Sequence, residues 1–167
     1  MENRVKQKKF VSLVLYLHNT QNEVVPFFQK VLPVFQDNFT NFEIVCVNDA
    51  CTDGTIGVLK EYLEENHCSE MVNIIHMSFF HGLESAMNAG RDLAIGDFIY
   101  EFDTAYVDYP SELIMEVYDK LLEGNDIVSA GTRDHVRMTS GFFYFCYNKT
   151  SRGRGKIGPE TFRIVSR

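Results

Sequence analysis

Short apolar runs alternate with longer amphipathic segments between residues 11 and 130. The runs are rich in β-branched and aromatic side chains, which is typical of buried strands. The segments between them place apolar side chains at helical spacing, as in the series Val24, Phe28, Val31 and Phe35. Predicted strands occupy residues 11–17, 42–47, 72–77, 97–102 and 126–130, and predicted helices occupy residues 22–35, 53–65, 83–94 and 110–122.

Local signals set the expected ends of three of these helices. Pro33 predicts a break near the end of the first helix, because proline removes a backbone hydrogen bond. Thr52 or Asp53 is expected to cap the second helix. Pro110 is expected to begin the fourth helix, where its missing N–H is not needed.

Strands and helices that alternate at these lengths predict an α/β fold with one mostly parallel sheet and helices on both of its faces. The alternation stops after Gly131. Residues 138–149 are aromatic and compatible with a helix, residues 151–158 form a basic, glycine-rich loop, and residues 161–166 predict a short last strand. Because the sequence stops directly after that strand, we expect a minimal or truncated domain.

Composition narrows the class of protein. A length of 167 residues with 45% hydrophobic side chains predicts a single globular domain over residues 1–167. No apolar run approaches the ~18 residues of a membrane-spanning helix, and no signal peptide is visible. Four cysteines without a C-x-x-C pair indicate reduced thiols rather than a zinc site.

The net charge of −7 is unevenly distributed along the chain. Residues 10–132 are strongly acidic, whereas residues 133–167 are predominantly basic. An acidic main body argues against nucleic acid as a partner. The basic segment leaves open a local role in binding an anion or a membrane surface.

Polar side chains follow three of the predicted strands. His18 and Asn19 follow the first strand, Asp49 and Asp53 follow the second, and Asp103 and Asp108 follow the fourth. Each has an ordinary structural explanation as a turn or helix cap. However, ligands of open parallel sheets bind outside the carboxyl ends of the strands, so their joint placement at one edge favours a binding site.

The motifs around these residues resemble family 2 glycosyltransferases of the GT-A fold. Residues 11–19 read V-S-L-V-L-Y-L-H-N, where that family typically has V-S-I-V-I-P-V-Y-N. Residues 42–55 read F-E-I-V-C-V-N-D-A-C-T-D-G-T and are similar to F-E-I-I-V-V-D-D-G-S-T-D-G-T. Residues 82–90 and 96–103 resemble the G-K-x-x-A-L-N-x-G helix and the G-D-Y-I-x-x-L-D strand. Residues 126–133 and 162–167 look like later segments of the polyprenyl-phosphate, dolichyl-phosphate mannosyltransferase-like branch.

The resemblance implies a UDP- or GDP-linked sugar as donor. Residues 10–132 would form the core that binds it, with the backbone of Leu17 and His18 and the side chain of Asp49 around the base and ribose. Asn19 belongs to the same motif, Asp53 would order the loop and helix, and Asn88 lies on the helix that flanks the pocket. Arg91, on the same helix, is more simply explained by a surface salt bridge.

The resemblance also implies Mg²⁺ or Mn²⁺, but the Asp-x-Asp motif appears as Asp103-Thr104-Ala105. Asp103 alone would then hold the ion together with diphosphate and water, with Asp108 as a weaker candidate. Other positions of the family pattern are replaced as well. They are Tyr16 for Pro, His18 for Tyr, Thr20 for Glu, Asn48 for Asp, Phe80 for Asn, Leu83 for Lys and Val107 for Gln.

The reaction implied is transfer of the sugar to a polyprenyl phosphate or a growing glycan at the cytoplasmic face of the membrane, in cell-envelope polysaccharide or glycolipid synthesis. Asp103 and Arg133 are the expected catalytic residues, and Arg133 and Arg137 are expected to hold an acceptor phosphate. Residues 133–167 would form the acceptor or membrane side, with the aromatic and basic residues 141–156 either at a membrane interface or packed in the core. The alternative is a degenerate, non-catalytic module that binds a nucleotide sugar or a partner.

Overall fold

The computed structural model describes residues 6–131 and 161–167. They form one six-stranded sheet in the order β3-β2-β1-β4-β6-β5. The strands are β1 (Gln7–Leu17), β2 (Phe39–Asn48), β3 (Val72–His76), β4 (Phe98–Phe102), β5 (Ile127–Ala130) and β6 (Phe162–Ser166). All pairs among β1 to β4 are parallel, and β6 is antiparallel to both β4 and β5. The predicted α/β class and mostly parallel sheet are confirmed.

Helices cover both faces of the sheet, as the alternation predicts. They are α1 (Val24–Asn38), α2 (Thr55–Glu65), α3 (Leu83–Leu93) and α4 (Leu113–Leu122). The larger apolar cluster joins α1, α2 and α4 to one face, and the smaller cluster joins α3 to the other. Successive strand residues point to opposite faces, so Val14, Val45 and Ile99 pack under α3.

Gly90 allows α3 to lie close to the sheet. A Cβ atom at this position would lie 2.4 Å from Cγ1 of Val14 and 2.8 Å from Cγ2 of Val47. No other residue therefore fits here without moving the helix away from β1 and β2. The close approach keeps the first turn of α3 near the carboxyl ends of these two strands.

Three predicted helix ends are wrong. The first helix does not break at Pro33 but continues to Asn38. Pro33 and Gln29 are both exposed, so the carbonyl that loses its helical partner can bond to water. The second helix begins at Thr55 behind Gly54 rather than at a Thr52 or Asp53 cap, and the fourth begins at Leu113 after a turn that starts at Pro110.

The last strand is an integral part of the sheet. β6 inserts between β4 and β5, and its Phe162 and Ile164 are buried in the larger apolar cluster. The division at residue 132 into a donor core and an acceptor side stays a prediction. Arg133, Arg137 and the predicted 138–149 helix lie outside the described residues.

No helix in the described ranges combines the length and apolarity needed to cross a membrane.

Candidate functional site

Three loops meet at the carboxyl ends of β1, β2 and β3. They are residues 18–21, 49–54 and 78–82, which we call the first, second and third loops. The amide of Asp49 donates to the Leu17 carbonyl at 2.9 Å, which joins the ends of β1 and β2. The amide of Met77 donates to the Asn48 carbonyl at 2.9 Å, which joins the ends of β2 and β3. The predicted gathering of polar residues at this edge is therefore present.

Asp49 lies at the centre of this edge and is fully buried. Its carboxylate accepts hydrogen bonds from the amides of His81 and Gly82 at 2.8 and 2.9 Å, and from the Tyr16 hydroxyl at 3.0 Å. Its carbonyl oxygen lies 2.7 Å from Nδ1 of His18. Asp49 thus connects all three loops through backbone and side-chain atoms.

The electrostatics of Asp49 follow from these contacts. Burial by itself raises the pKa of the carboxyl group, but the hydrogen bonds from His81, Tyr16 and Gly82 outweigh it and hold the pKa below its usual value. Burial and the neighbouring carboxylate raise the pKa of Tyr16 to about 12. Asp49 is therefore ionised and Tyr16 is a neutral donor at neutral pH.

Asn19 and Asp53 tie the first loop to the second. The side-chain oxygen of Asn19 accepts from the amides of Thr52 and Asp53, at 2.8 and 3.3 Å. Asp53 accepts from the Gln21 amide at 3.1 Å and from the Thr55 amide at 3.0 Å. Although burial opposes it, the bonds from Thr55 and Gln21 lower the pKa of Asp53. Asp53 thus joins the first loop to the start of α2.

Two residues of these loops have a left-handed backbone conformation. The φ angle of Asn19 is 53° and that of Ala50 is 54°. Asparagine tolerates this region, whereas a Cβ atom makes it unfavourable for alanine by roughly 1–2 kcal/mol. Ala50 stands where the family pattern has glycine, and strain of this kind occurs preferentially at functional sites.

Asp103 lies at the end of β4, next to the loops described above. Phe102, the residue before it, is opposite Leu15 of β1 in the parallel register. Asp103 is half-buried and Asp108 is exposed, whereas Ala105 is buried in the larger apolar cluster. Within residues 6–131 and 161–167, no group of three or more His, Cys, Asp or Glu side chains is arranged to hold a metal ion.

A buried ion cluster lies just before Asp103 on β4. Glu101 is fully buried, and its carboxylate pairs with Nε of Arg91 at 2.9 Å and with Nε of Arg163. A second guanidinium nitrogen of Arg91 donates to the exposed Asn88 at 2.8 Å. The expectation of a surface salt bridge for Arg91 is therefore wrong, because its partner is a core carboxylate.

Sequence reasoning missed Glu101, Tyr16 as a partner of Asp49, and the third loop. The available signal for Glu101 was its charge inside the apolar run 98–102. A carboxylate that is buried in such a strand almost always has a cationic partner. No local signal identified its partner Arg163, which is distant in sequence. Two adjacent aromatic residues, Phe79 and Phe80, between a predicted strand and a predicted helix were the available signal for the third loop.

The fold is that of a GT-A glycosyltransferase. A mannosyltransferase of Pyrobaculum calidifontis, solved with GDP-Man and Mn²⁺, superimposes with a TM-score of 0.71 at 17% identity over 96% of this chain and 45% of that protein. Glucosyl-3-phosphoglycerate synthase of Mycobacterium tuberculosis, solved with Mn²⁺, UDP-Glc and glycerol 3-phosphate, gives a TM-score of 0.70 at 12% identity over 95% of this chain and 57% of that protein. At these identities the likeness concerns the fold.

The chain belongs to glycosyl transferase family 2, whose sequence model matches residues 12–164. It is 32% identical over 165 residues to an uncharacterized glycosyltransferase of Synechocystis sp., across 94% of this chain and 50% of the relative. It is 30% identical over 166 residues to the prophage bactoprenol glucosyl transferase homolog of Escherichia coli, across 94% of this chain and 52% of the relative. The chain spans about half the length of these relatives.

Proposed function

We propose that this chain carries the donor site of an enzyme that transfers a sugar from a nucleoside diphosphate to a polyprenyl phosphate. The observation that carries the proposal is the convergence of His18, the Asp49-centred loops and Asp103 at one edge of the sheet. The family membership supports sugar transfer. The similarity to a protein named as a bactoprenol glucosyl transferase homolog supports a lipid-phosphate acceptor rather than a growing glycan.

In this proposal, the first and second loops surround the base and ribose. Leu17 and His18 contribute backbone, and the Asn19 and Asp53 contacts keep the two loops together. The Asp49 side chain was expected to hold the base and ribose, but it is fully buried and accepts three hydrogen bonds from its own chain, so we propose that it acts through the groups that it holds. Arg91 holds Asn88 on the flanking helix.

Asp103 is the proposed carboxylate for Mg²⁺ or Mn²⁺. One carboxylate at a strand end fits an ion that is bound mainly by substrate phosphates and water, which is a common arrangement for Mg²⁺. Buried Ala105 supplies no oxygen ligand, and Asp108 is a secondary candidate. When bound, the cation would stabilise the charge that develops on the leaving diphosphate.

The proposed acceptor needs no general base from the protein. A phosphate monoester is largely ionised at pH 7, so it attacks without first losing a proton to the protein. We propose Arg133 and Arg137 as the cations that hold it, with Arg133 also stabilising charge in the transition state. The proposed location is the inner face of the cytoplasmic membrane, where a lipid phosphate is accessible.

The test is calorimetric titration of the chain with GDP-mannose and UDP-glucose, in Mn²⁺ and in EDTA, followed by measurement of sugar transfer to a short-chain polyprenyl phosphate. We expect binding and transfer, with Mn²⁺ strengthening donor binding by about ten-fold. Asp103→Asn should remove the gain from Mn²⁺ and leave binding in EDTA unchanged. Asp92→Asn, an exposed carboxylate on α3, is the control and should keep the gain.

Binding without transfer would favour the non-catalytic module over the enzyme. Absence of donor binding in both media would contradict the proposed donor site. An undiminished effect of Mn²⁺ in Asp103→Asn would exclude Asp103 as the ligand.

A further inference from the structure

The third loop carries two large apolar side chains in solvent at the edge of the site. Phe79 is 63% exposed and Phe80 is 58% exposed. Single exposed apolar side chains are common, but adjacent exposed aromatic rings beside a binding edge mark a contact surface. The neighbouring Leu83 is also apolar, where the family pattern has lysine.

The loop that carries Phe79 and Phe80 is fixed by hydrogen bonds and ring stacking. The Asp49 carboxylate fixes the amides of His81 and Gly82. Nδ1 of His81 lies 2.6 Å from the Phe79 carbonyl oxygen, and its ring stacks on Phe79 with centroids 3.9 Å apart and planes 19° apart. A surface that is ordered before binding loses little conformational entropy when a ligand arrives.

The Phe80 ring contacts the ring of His18 in the first loop. Its ring centroid lies 4.6 Å from that of His18, with the planes at 51°. His18 is itself fixed through Nδ1 to the Asp49 carbonyl oxygen at 2.7 Å. Phe80 therefore adjoins the residues that the proposed function places around the base and ribose.

We propose that Phe80 is the stacking platform for the nucleobase of the donor, with Phe79 and His81 supporting it. This proposal rests on the proposed function and specifies how its donor is recognised. A phenyl ring stacks on the face of a base and forms no hydrogen bonds with the base edge. The affinity therefore depends on the stacked area of the base. The larger guanine ring of a GDP-sugar binds more tightly than uracil, and a ligand without a base binds poorly.

The first experiment uses the absence of tryptophan from the chain. Phe80→Trp creates a single fluorescent reporter at the platform. Its emission should be quenched on titration with GDP, less strongly with UDP, and not at all with pyrophosphate. Leu122→Trp places the reporter at an exposed position of α4 and should respond to none of them.

The second experiment separates stacking from simple apolar contact. Phe80→Leu retains an apolar side chain without a ring and should weaken GDP binding on the order of ten-fold. Phe80→Tyr retains the ring and should bind GDP within about two-fold of the unmodified chain. Both substitutions are at an exposed position, so neither disturbs the core.

The outcomes distinguish the failure of this proposal from that of the proposed function. If the unmodified chain binds GDP and Phe80→Leu binds it equally well, the stacking role of Phe80 is excluded, whereas the proposed donor site is retained. If no nucleotide binds the unmodified chain, both fail. If Phe80→Trp responds to phosphatidylglycerol vesicles and not to GDP, the rings contact lipid and the platform is overturned.

Discussion

Replacing Glu101 by alanine should lower the free energy of unfolding by about 3 kcal/mol, because it leaves Arg91 and Arg163 without their shared buried carboxylate. We take the lower end of the range for broken buried pairs, since both arginines keep some contact with solvent. The effect is measured by urea unfolding at neutral pH. The control is Glu123→Ala, which removes an exposed pair with Lys120 and should change stability by less than about 1 kcal/mol. Equal effects of the two substitutions would contradict the account of Glu101.

A triple substitution separates the stability of this cluster from its influence on the site. Glu101→Leu combined with Arg91→Leu and Arg163→Leu should recover much of the lost stability, because apolar side chains often substitute well for a complete buried ion cluster. Asn88 would still lack the guanidinium that holds it. Donor binding should therefore remain weaker than in the unmodified chain, although the fold is restored.

Replacing Asp49 by alanine should have the largest effect on the site. It leaves the partly buried amides of His81 and Gly82 and the Tyr16 hydroxyl without their acceptor, and should lower the free energy of unfolding by about 3 kcal/mol. Because the same contacts hold the three loops together, donor binding should fall by about 100-fold, which corresponds to ~2.7 kcal/mol. Urea unfolding and calorimetric titration measure the two effects.

The pH dependence gives an independent check on Asp49. A carboxyl group whose pKa is lowered by folding stabilises the folded state above its unfolded pKa of about 4, and that contribution is lost as the pH falls through the folded value. The difference in unfolding free energy between the unmodified chain and Asp49→Asn should therefore be constant between about pH 5 and about pH 7. It should shrink below about pH 4. A difference that stays the same at acidic pH would show that the charge of Asp49 contributes nothing.

The sequence predicted the parallel part of the fold because its signals are local. Each of the first five strands is an apolar run, and each helix between them has its own amphipathic period. The sixth strand was expected too, but its place between β4 and β5 and its antiparallel direction depend on a long connection that no local pattern describes. Pro33 was misleading because the tertiary packing of α1, through buried Val31, Leu32 and Phe35, outweighs the local cost of a proline inside a helix.

The site was predictable where strand ends carry polar residues, and not where contacts are long-range. His18, Asp49 and Asp103 follow strands directly, so topology alone brings them to one edge. The bond from His81 to Asp49 and the pair of Arg163 with Glu101 join residues 32 and 62 positions apart. These contacts depend on how the third loop and β6 pack, which is a property of the whole fold.

We propose that the donor binds at the edge formed by the three loops and Asp103. Amide hydrogen exchange with and without saturating GDP-mannose can locate the bound donor on the chain, because it requires no assumption about which residues take part. We expect slower exchange in residues 18–21, 49–54, 78–83 and 103–105, and no change in α4. Slower exchange confined to α4 and β5, or no change anywhere at a concentration where calorimetry shows binding, would rule out this edge as the donor site.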